Sequence, residues 1–217
     1  EVVYDSNDII TRAHNIFIDE DNAIMYVCVG VVNGLYTGFS LLSLEDPENP
    51  VFLKKYYEYG EVHDVYVREN IAYLNAGWDS RFYIVDFSNI NEPQTLGLLD
   101  SYEDPGYNHS GWLTENGETY VFADENHGLR MKICNVSNPN EIVVDTTLIS
   151  GVDSLSMAHN LIIKNDLLYV SHYHDGLWIW NIANPSNPIY VASYDTYTPL
   201  DHESYKGAWG VYPLLPS

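Results

Sequence analysis

A chain of 217 residues with 46% hydrophobic side chains, 19 tyrosines and 5 tryptophans carries enough apolar surface to fold, which excludes a disordered segment. Its 31 acidic residues against 9 basic ones give a formal charge of −22, a polyanion that repels nucleic-acid phosphates and anionic lipid, so neither is expected as a partner. No apolar run approaches the roughly 18–20 residues that span a bilayer, and no membrane insertion is expected. The same acidity suits divalent cations, a saline habitat or plain solubility, and composition alone does not choose among them.

In chain order, the first clear extended run is TRAHNIFIDED (11–21), which carries His14 at the mouth of an alternating apolar pattern. The apolar run AIMYVCVG (23–30) follows, and then GFSLLSLEDPENPVFLKKY (38–56). This last stretch reads as a strand, an Asp/Asn/Pro-rich turn and a second strand, because Pro fixes φ while Asn and Asp bond back to their own backbone. The same phrase returns three times. EVHDVYVREN (61–70) leads into IAYLNAG and RFYIVDFSNINEPQTLGLL (81–99). YNHSGWLTENG (107–117) leads into TYVFAD and GLRMKICNVSNPNEIVVDT (128–146). MAHNLIIKND (157–166) leads into LLYVSHY and GLWIWNIANPSNPIYVASY (176–194). The loops DEDNA (19–23) and ENGE (115–118) read as solvated turns, since they lack the ligand spacing of a calcium loop.

Four short strands per repeat, and histidines recurring every 46 to 50 residues at His14, His63, His109 and His159, fit the period of propeller repeats. The expected fold is all-β, a β-propeller of four-stranded antiparallel blades near 12–57, 61–101, 107–148 and 157–195. Partial flanking blades are expected at 1–6, where VVYD resembles an outer strand, and at 206–217, where AWGVY resembles a first strand. On this reading the chain is a segment of a larger propeller, whose other blades are themselves a candidate partner. Cys28 and Cys134 fall in apolar runs and are expected as free buried thiols, with one inter-repeat disulfide as the alternative.

In a blade the start of the first strand and the loop between strands two and three lie on one face, and all eight histidines map there. His14, His63, His109 and His159 begin first strands. His127, His172 and His174 fall in the two-to-three loops, and His202 precedes the next first strand. Asp64, Asp79, Glu125 and Asp175, together with Trp78, Trp112 and Trp209, share this expected ligand-binding face. Glu61, Asp124, Asp153, Asp201 and Glu203 map to it as well. Imidazoles, carboxylates and aromatic walls converging on one mouth are what a binding site uses.

Two readings stand for the four-histidine arc. In one, His14, His63, His109 and His159 ligate a divalent metal (Zn, Cu, Fe or Ca), with Asp64, Glu125 or Asp175 orienting the rings. In the other, each imidazole caps its blade by bonding a backbone carbonyl next door, which a residue repeated once per blade would do. His172 and His174, two apart at a strand end, are expected to point the same way and to suit chelation or carbohydrate contact. Trp178 and Trp180 alternate with Leu177 and Ile179 and are expected to pack between blades. Ser110 beside His109 is no catalytic pair, because neighbours on a strand face opposite ways.

The phrases TRAHNIFID, HDVYVRENIAYLNAG, YNHSGWLTENGETYVFADENHGL, SGVDSLSMAHNLIIKNDLLYVSHYHDGLWIWNIANPSNP and GAWGVYPLLPS resemble bacterial LVIVD-repeat propellers. More narrowly, they resemble the choice-of-anchor B type, with YIVDFSN (83–89) as the naming repeat. The resemblance runs over nearly the whole chain. It implies export and display at a cell surface, and it implies no particular reaction. The expected function is an extracellular binding or scaffold module recognising a ligand, a glycan or a surface protein. The alternative is a metal-dependent hydrolase, lyase or oxygenase.

Overall fold

The computed structural model describes residues 2–199 and 201–215. The alternating runs form sixteen strands, and no helix occurs among the described residues. The strands make four four-stranded antiparallel sheets, each a simple meander in which consecutive strands pair. This is the blade of a β-propeller, and the all-β propeller reading of the sequence holds.

The chain divides into two compact units between Leu98 and Leu99. The first contains the sheet β1 (Ile10–Asp19), β2 (Ile24–Val32), β3 (Leu35–Ser43) and β4 (Val51–Lys55). It also contains the sheet β5 (Asp64–Arg68), β6 (Ile71–Ala76), β7 (Arg81–Asp86) and β8 (Gln94–Leu99), the last residue of β8 falling at the boundary. Their facing sides bury Tyr26, Phe39, Leu41 and Tyr56 against Val65, Leu74, Val85 and Phe87. Edge-to-face ring pairs, such as Tyr56–Phe87 at 5.2 Å and Phe17–Tyr66 at 5.6 Å, lock the two sheets together. The other side of the first sheet buries Met25, Val27, Val32 and Leu42, so β2 is covered on both faces and reads as an unbroken apolar run.

The second unit repeats the plan with β9 (Asn108–Leu113), β10 (Thr119–Asp124), β11 (Met131–Asn135) and β12 (Val143–Leu148). Its second sheet is β13 (Leu161–Lys164), β14 (Leu167–Ser171), β15 (Leu177–Asn181) and β16 (Ile189–Tyr194). Val121, Ala123, Met131 and Ile133 pack on Leu161, Ile163, Leu168, Val170, Trp180 and Ile182. Trp180 is buried and Trp178 lies against the same core, so both serve sheet-to-sheet packing.

Local chemistry repeats with the sheets. The residue closing each third strand bonds the amide two positions on: Ser43 Oγ accepts from Glu45, Asp86 Oδ1 from Ser88, Asn135 Oδ1 from Ser137 and Asn181 Oδ1 from Ala183. The hairpins between β5 and β6 and between β13 and β14 turn on Glu69-Asn70 and Asn165-Asp166. All four residues have positive φ, the tight-turn geometry whose twist matches the strands. Cys28 and Cys134 are free and buried, and burial pushes both thiols up.

The flanking segments differ from expectation. Residues 2–6 form no strand, and within 206–215 the only strand-like pairing is a single bridge between Tyr173 and Ala208. A strand is defined by a ladder, and VVYD has none among the described residues. Residues 1, 216 and 217 of the expected partial blades lie outside the described residues. Among the described residues no helix is long and apolar enough to cross a membrane.

Candidate functional site

In the first unit, His14 lies within β1 rather than at its start and is exposed, while His63 is buried just before β5. Their ring centroids are 4.3 Å apart. The His63 amide donates to the Asn75 carbonyl at 2.7 Å, which fixes the start of β5 against the end of β6. Asp64 begins β5 with its carboxylate accepting from the Val65 amide at 2.8 Å, and burial raises its pKa to about 7. Trp78 and Asp79 occupy the exposed turn between β6 and β7.

The second unit holds the group that converges. His109 is the second residue of β9, Glu125 follows β10, and His159 precedes β13. The Glu125 amide donates to the Tyr107 carbonyl at 2.9 Å, setting its side chain beside the start of β9. The His159 amide donates to Ser171 at 2.8 Å, and the buried Ser110 hydroxyl donates to the His159 carbonyl at 2.7 Å, tying β9 to the β13 approach. The two imidazole centroids are 4.4 Å apart. Glu125 bridges them: Oε2 stands 3.4 Å from His109 Nε2, and Oε1 stands 3.8 Å from His159 Nε2. One ligating atom from each of the three residues lies within 4.8 Å of the others.

Two donors each about 2.0–2.2 Å from one ion at a tetrahedral angle are roughly 3.4 Å apart, so these separations need little contraction to hold a metal. Both imidazoles are buried and Glu125 is half-buried, which makes the group's charge expensive to leave uncompensated. Burial raises the Glu125 pKa, opposed by the Tyr173 hydroxyl and by the neighbouring His127.

Tyr173 and Trp209 complete the group. The Tyr173 hydroxyl donates to Glu125 Oε1, and burial together with that carboxylate pushes the phenol up, keeping it protonated. Tyr173 sits at φ +38°, a backbone geometry disfavoured for a bulky side chain. It is held there by paired backbone bonds with Ala208, 3.0 and 2.7 Å long. Gly207, at φ +105°, makes this docking feasible: a Cβ there would stand 2.1 Å from the Tyr173 carbonyl oxygen. The docked segment lays Trp209 over His159, its carbonyl accepting from Nδ1 and its indole donating to Nε2. A carbonyl only accepts and an indole N–H only donates, so His159 is the neutral tautomer, its Nε2 lone pair accepting from the Trp209 indole.

Within the second unit His109 and His159 join Glu125 in a group of three potential ligands. Within the first unit His14 and His63 pair ring to ring, and among the described residues neither belongs to a group of three potential ligands. Glu125 thus offers a ligand atom where an orienting contact was expected. His127 lies at the edge of the group, its Nδ1 3.2 Å from the Leu155 carbonyl and its ring 5.4 Å from Tyr205. Trp112 is half-buried and packs against the sheet-to-sheet core.

His172 and His174 do not act together. The positive φ of Tyr173 breaks the strand alternation between them. His172 is fully buried with its ring 5.7 Å from Trp180, and burial holds it well below the usual imidazole pKa against the pull of Asp175. His174 instead meets Ser204 at 3.0 Å from Nε2 and His202 at 5.1 Å between centroids. Asp175 is buried, its Oδ1 2.7 Å from His202 Nε2, and the Ser150 hydroxyl donates to its other oxygen. A cavity of about 200 Å³ opens beside His174, Asp175, Trp178 and His202. Asp124 is not on a binding face either. It is buried in an ion pair with Lys132 at 2.6 Å and accepts from the Tyr102 hydroxyl at 3.0 Å.

Comparison with known proteins agrees with the repeats. The LVIVD repeat model matches residues 59–102 and 156–196, the sheets β5–β8 and β13–β16, so the chain carries the repeat of a β-propeller family. No curated protein sequence matches it. Solved structures similar in fold include a Lactobacillus plantarum protein (TM-score 0.63, 12% identity, 83% of this chain and 57% of that one). A putative 6-phosphogluconolactonase from Bacteroides uniformis (TM-score 0.65, 10% identity, 85% and 57%) is also similar. So is the periplasmic gluconolactonase PpgL of Pseudomonas aeruginosa (TM-score 0.65, 10% identity, 88% and 56%). This chain thus spans somewhat more than half the length of each. At such identity the likeness establishes the fold and nothing finer.

Proposed function

We propose that this chain is a ligand-binding module of an exported bacterial propeller of the choice-of-anchor B type, displayed at the cell surface. Its binding centre is His109, Glu125 and His159 holding a divalent transition metal. One observation carries the reading: three potential ligand atoms of N, N and O type lie within 4.8 Å of one another, with His159 in the tautomer whose Nε2 can ligate once the Trp209 indole swings off it. With three protein ligands, the ion keeps a position for an oxygen ligand from a glycan or from a surface protein. Zinc is the best match to two imidazoles and a carboxylate, and the soft-ligand metals lack a thiolate here.

A second reading is metal-dependent hydrolysis, in which the position left open by the three ligands would take a water and activate it. Two fold neighbours are described as gluconolactonases, so a sugar lactone is the first substrate class to assay.

Elemental analysis of protein purified without chelators, then zinc titration by calorimetry, tests the metal centre. Near one equivalent of metal, lost in both His109→Gln and His159→Gln, supports it. Less than about a tenth of an equivalent after reconstitution overturns it and leaves the histidines as hydrogen-bonded caps.

A further inference from the structure

The first unit contains a hollow of about 360 Å³ that the histidine group does not use. It lies where three pieces of chain meet: β3 through Tyr36, the loop after β4 through Tyr57 and Glu61, and the β6–β7 turn through Trp78 and Asp79. Large aromatic side chains normally gain by burial, yet Trp78 is 76% exposed, Tyr57 73% and Tyr36 48%. Exposed aromatics scattered singly need no explanation, but three around one hollow form a patch with a use.

Two carboxylates share the hollow. The Tyr36 hydroxyl donates to Glu61 Oε1, which fixes that carboxylate against the ring. Asp79 lies over Gly60, whose φ is +66°, and a Cβ at that position would stand 2.4 Å from Asp79 Oδ2, so glycine is what lets the carboxylate lie there. The lining contains no Lys, Arg, His, Asn or Gln. The charge of the lining is therefore negative only, with Arg12 and Lys55 standing outside it near Tyr36 and Tyr57, so a ligand that displaces water from Glu61 and Asp79 gains by carrying positive charge. Aromatic faces attract cations through their quadrupole, and the chain shows the tendency locally: Lys55 Nζ lies 4.8 Å over the Tyr57 ring. The net charge of −22 raises the local concentration of any cation.

We propose that this hollow binds a small organic cation bearing a trimethylammonium or similar alkylammonium group, held by Trp78, Tyr57 and Tyr36 and neutralised by Glu61 and Asp79. A polyol is the weaker match, since neutral hydroxyls leave both carboxylates uncompensated. The site is independent of the metal centre, and its ligand can come free or as a lipid headgroup.

Calorimetry of the whole chain with choline tests this, with the uncharged isostere 3,3-dimethylbutan-1-ol and glucose in parallel. Saturable choline binding, at least about tenfold tighter than the isostere, is expected. Trp78→Ala and Asp79→Asn should each weaken it about three- to tenfold with melting temperature unchanged, since both side chains are exposed. Absence of choline binding at millimolar concentration, equal binding of the isostere, or binding of glucose alone would each overturn the proposal. Co-sedimentation with phosphatidylcholine vesicles, competed by free choline, would assign the headgroup source. Choline binding without co-sedimentation would assign the free compound.

Discussion

Trp209 holds His159 by both ring nitrogens: its carbonyl accepts from Nδ1 and its indole N–H donates to Nε2. The first bond is the one that orients a metal-ligating histidine, whereas the second occupies the lone pair a metal would take. The indole is 67% exposed, so it can swing away at little cost in buried area. Trp209→Phe keeps the carbonyl and removes the competing donor. Zinc affinity measured by calorimetry should therefore rise about two- to tenfold, the worth of one neutral hydrogen bond. An unchanged or weakened affinity would mean that Nε2 is not a metal ligand.

The strands were legible because alternation and turn chemistry are local: IMYVCVGVV, TYVFAD and the Ser, Asp or Asn turns after each third strand state their role without tertiary information. His109, His159 and Glu125 were legible as members of one face through their repeat spacing. Tyr173 was not. Strict alternation through SHYHDG places it opposite His172 and His174, but its φ of +38° turns its hydroxyl onto Glu125 and separates the two histidines. The docking of residues 207–209 creates that φ, and a contact between distant segments leaves no local pattern beyond Gly207 itself. The Asp124–Lys132 pair was missed for a related reason: its burial depends on how the sheets pack, not on the TYVFAD run.

That pair makes a sharp stability test. Lys132 and Asp124 side chains are essentially inaccessible, and Lys132 Nζ also donates to the Asp104 carbonyl at 2.8 Å. Lys132→Met leaves Asp124 buried without its counter-ion and should cost about 3–5 kcal/mol in denaturant unfolding. Adding Asp124→Asn removes the stranded charge and keeps an acceptor for the Tyr102 hydroxyl, so the double variant should regain most of the loss. Equal destabilisation in the single and double variants would show that packing, not charge, is at stake.

Asp64 should make the protein less stable as pH rises. Its folded pKa of about 7 lies above the unfolded value of about 3.9, so the native state binds the extra proton between those limits. Stability contributed by the protonated carboxyl is full below about pH 4, is lost as pH rises to about 7, and stays lost above it. The span is no more than roughly 4 kcal/mol. Asp64→Asn should be more stable than the parent at pH 8 and level with it near pH 4. Urea midpoints at the two pH values decide this, and a parent–variant difference independent of pH would refute it.

His172 works in the opposite sense. Burial beside Trp180 depresses its folded pKa below the unfolded value of about 6.5, so the unfolded chain takes up the proton first as pH falls. The stability tied to the neutral ring is therefore full above about pH 6.5 and lost on acidification. Between pH 4 and 6.5 the two slopes oppose each other, and the parent curve should be flatter than either group alone would make it. His172→Gln removes the rising limb, so its stability should fall more steeply than the parent's as pH increases through that window. Asp64→Asn removes the falling limb and should do the reverse. Unfolding midpoints across pH 4–8 for both variants separate the two contributions, and parallel curves for parent and His172→Gln would show that the ring does not titrate with folding.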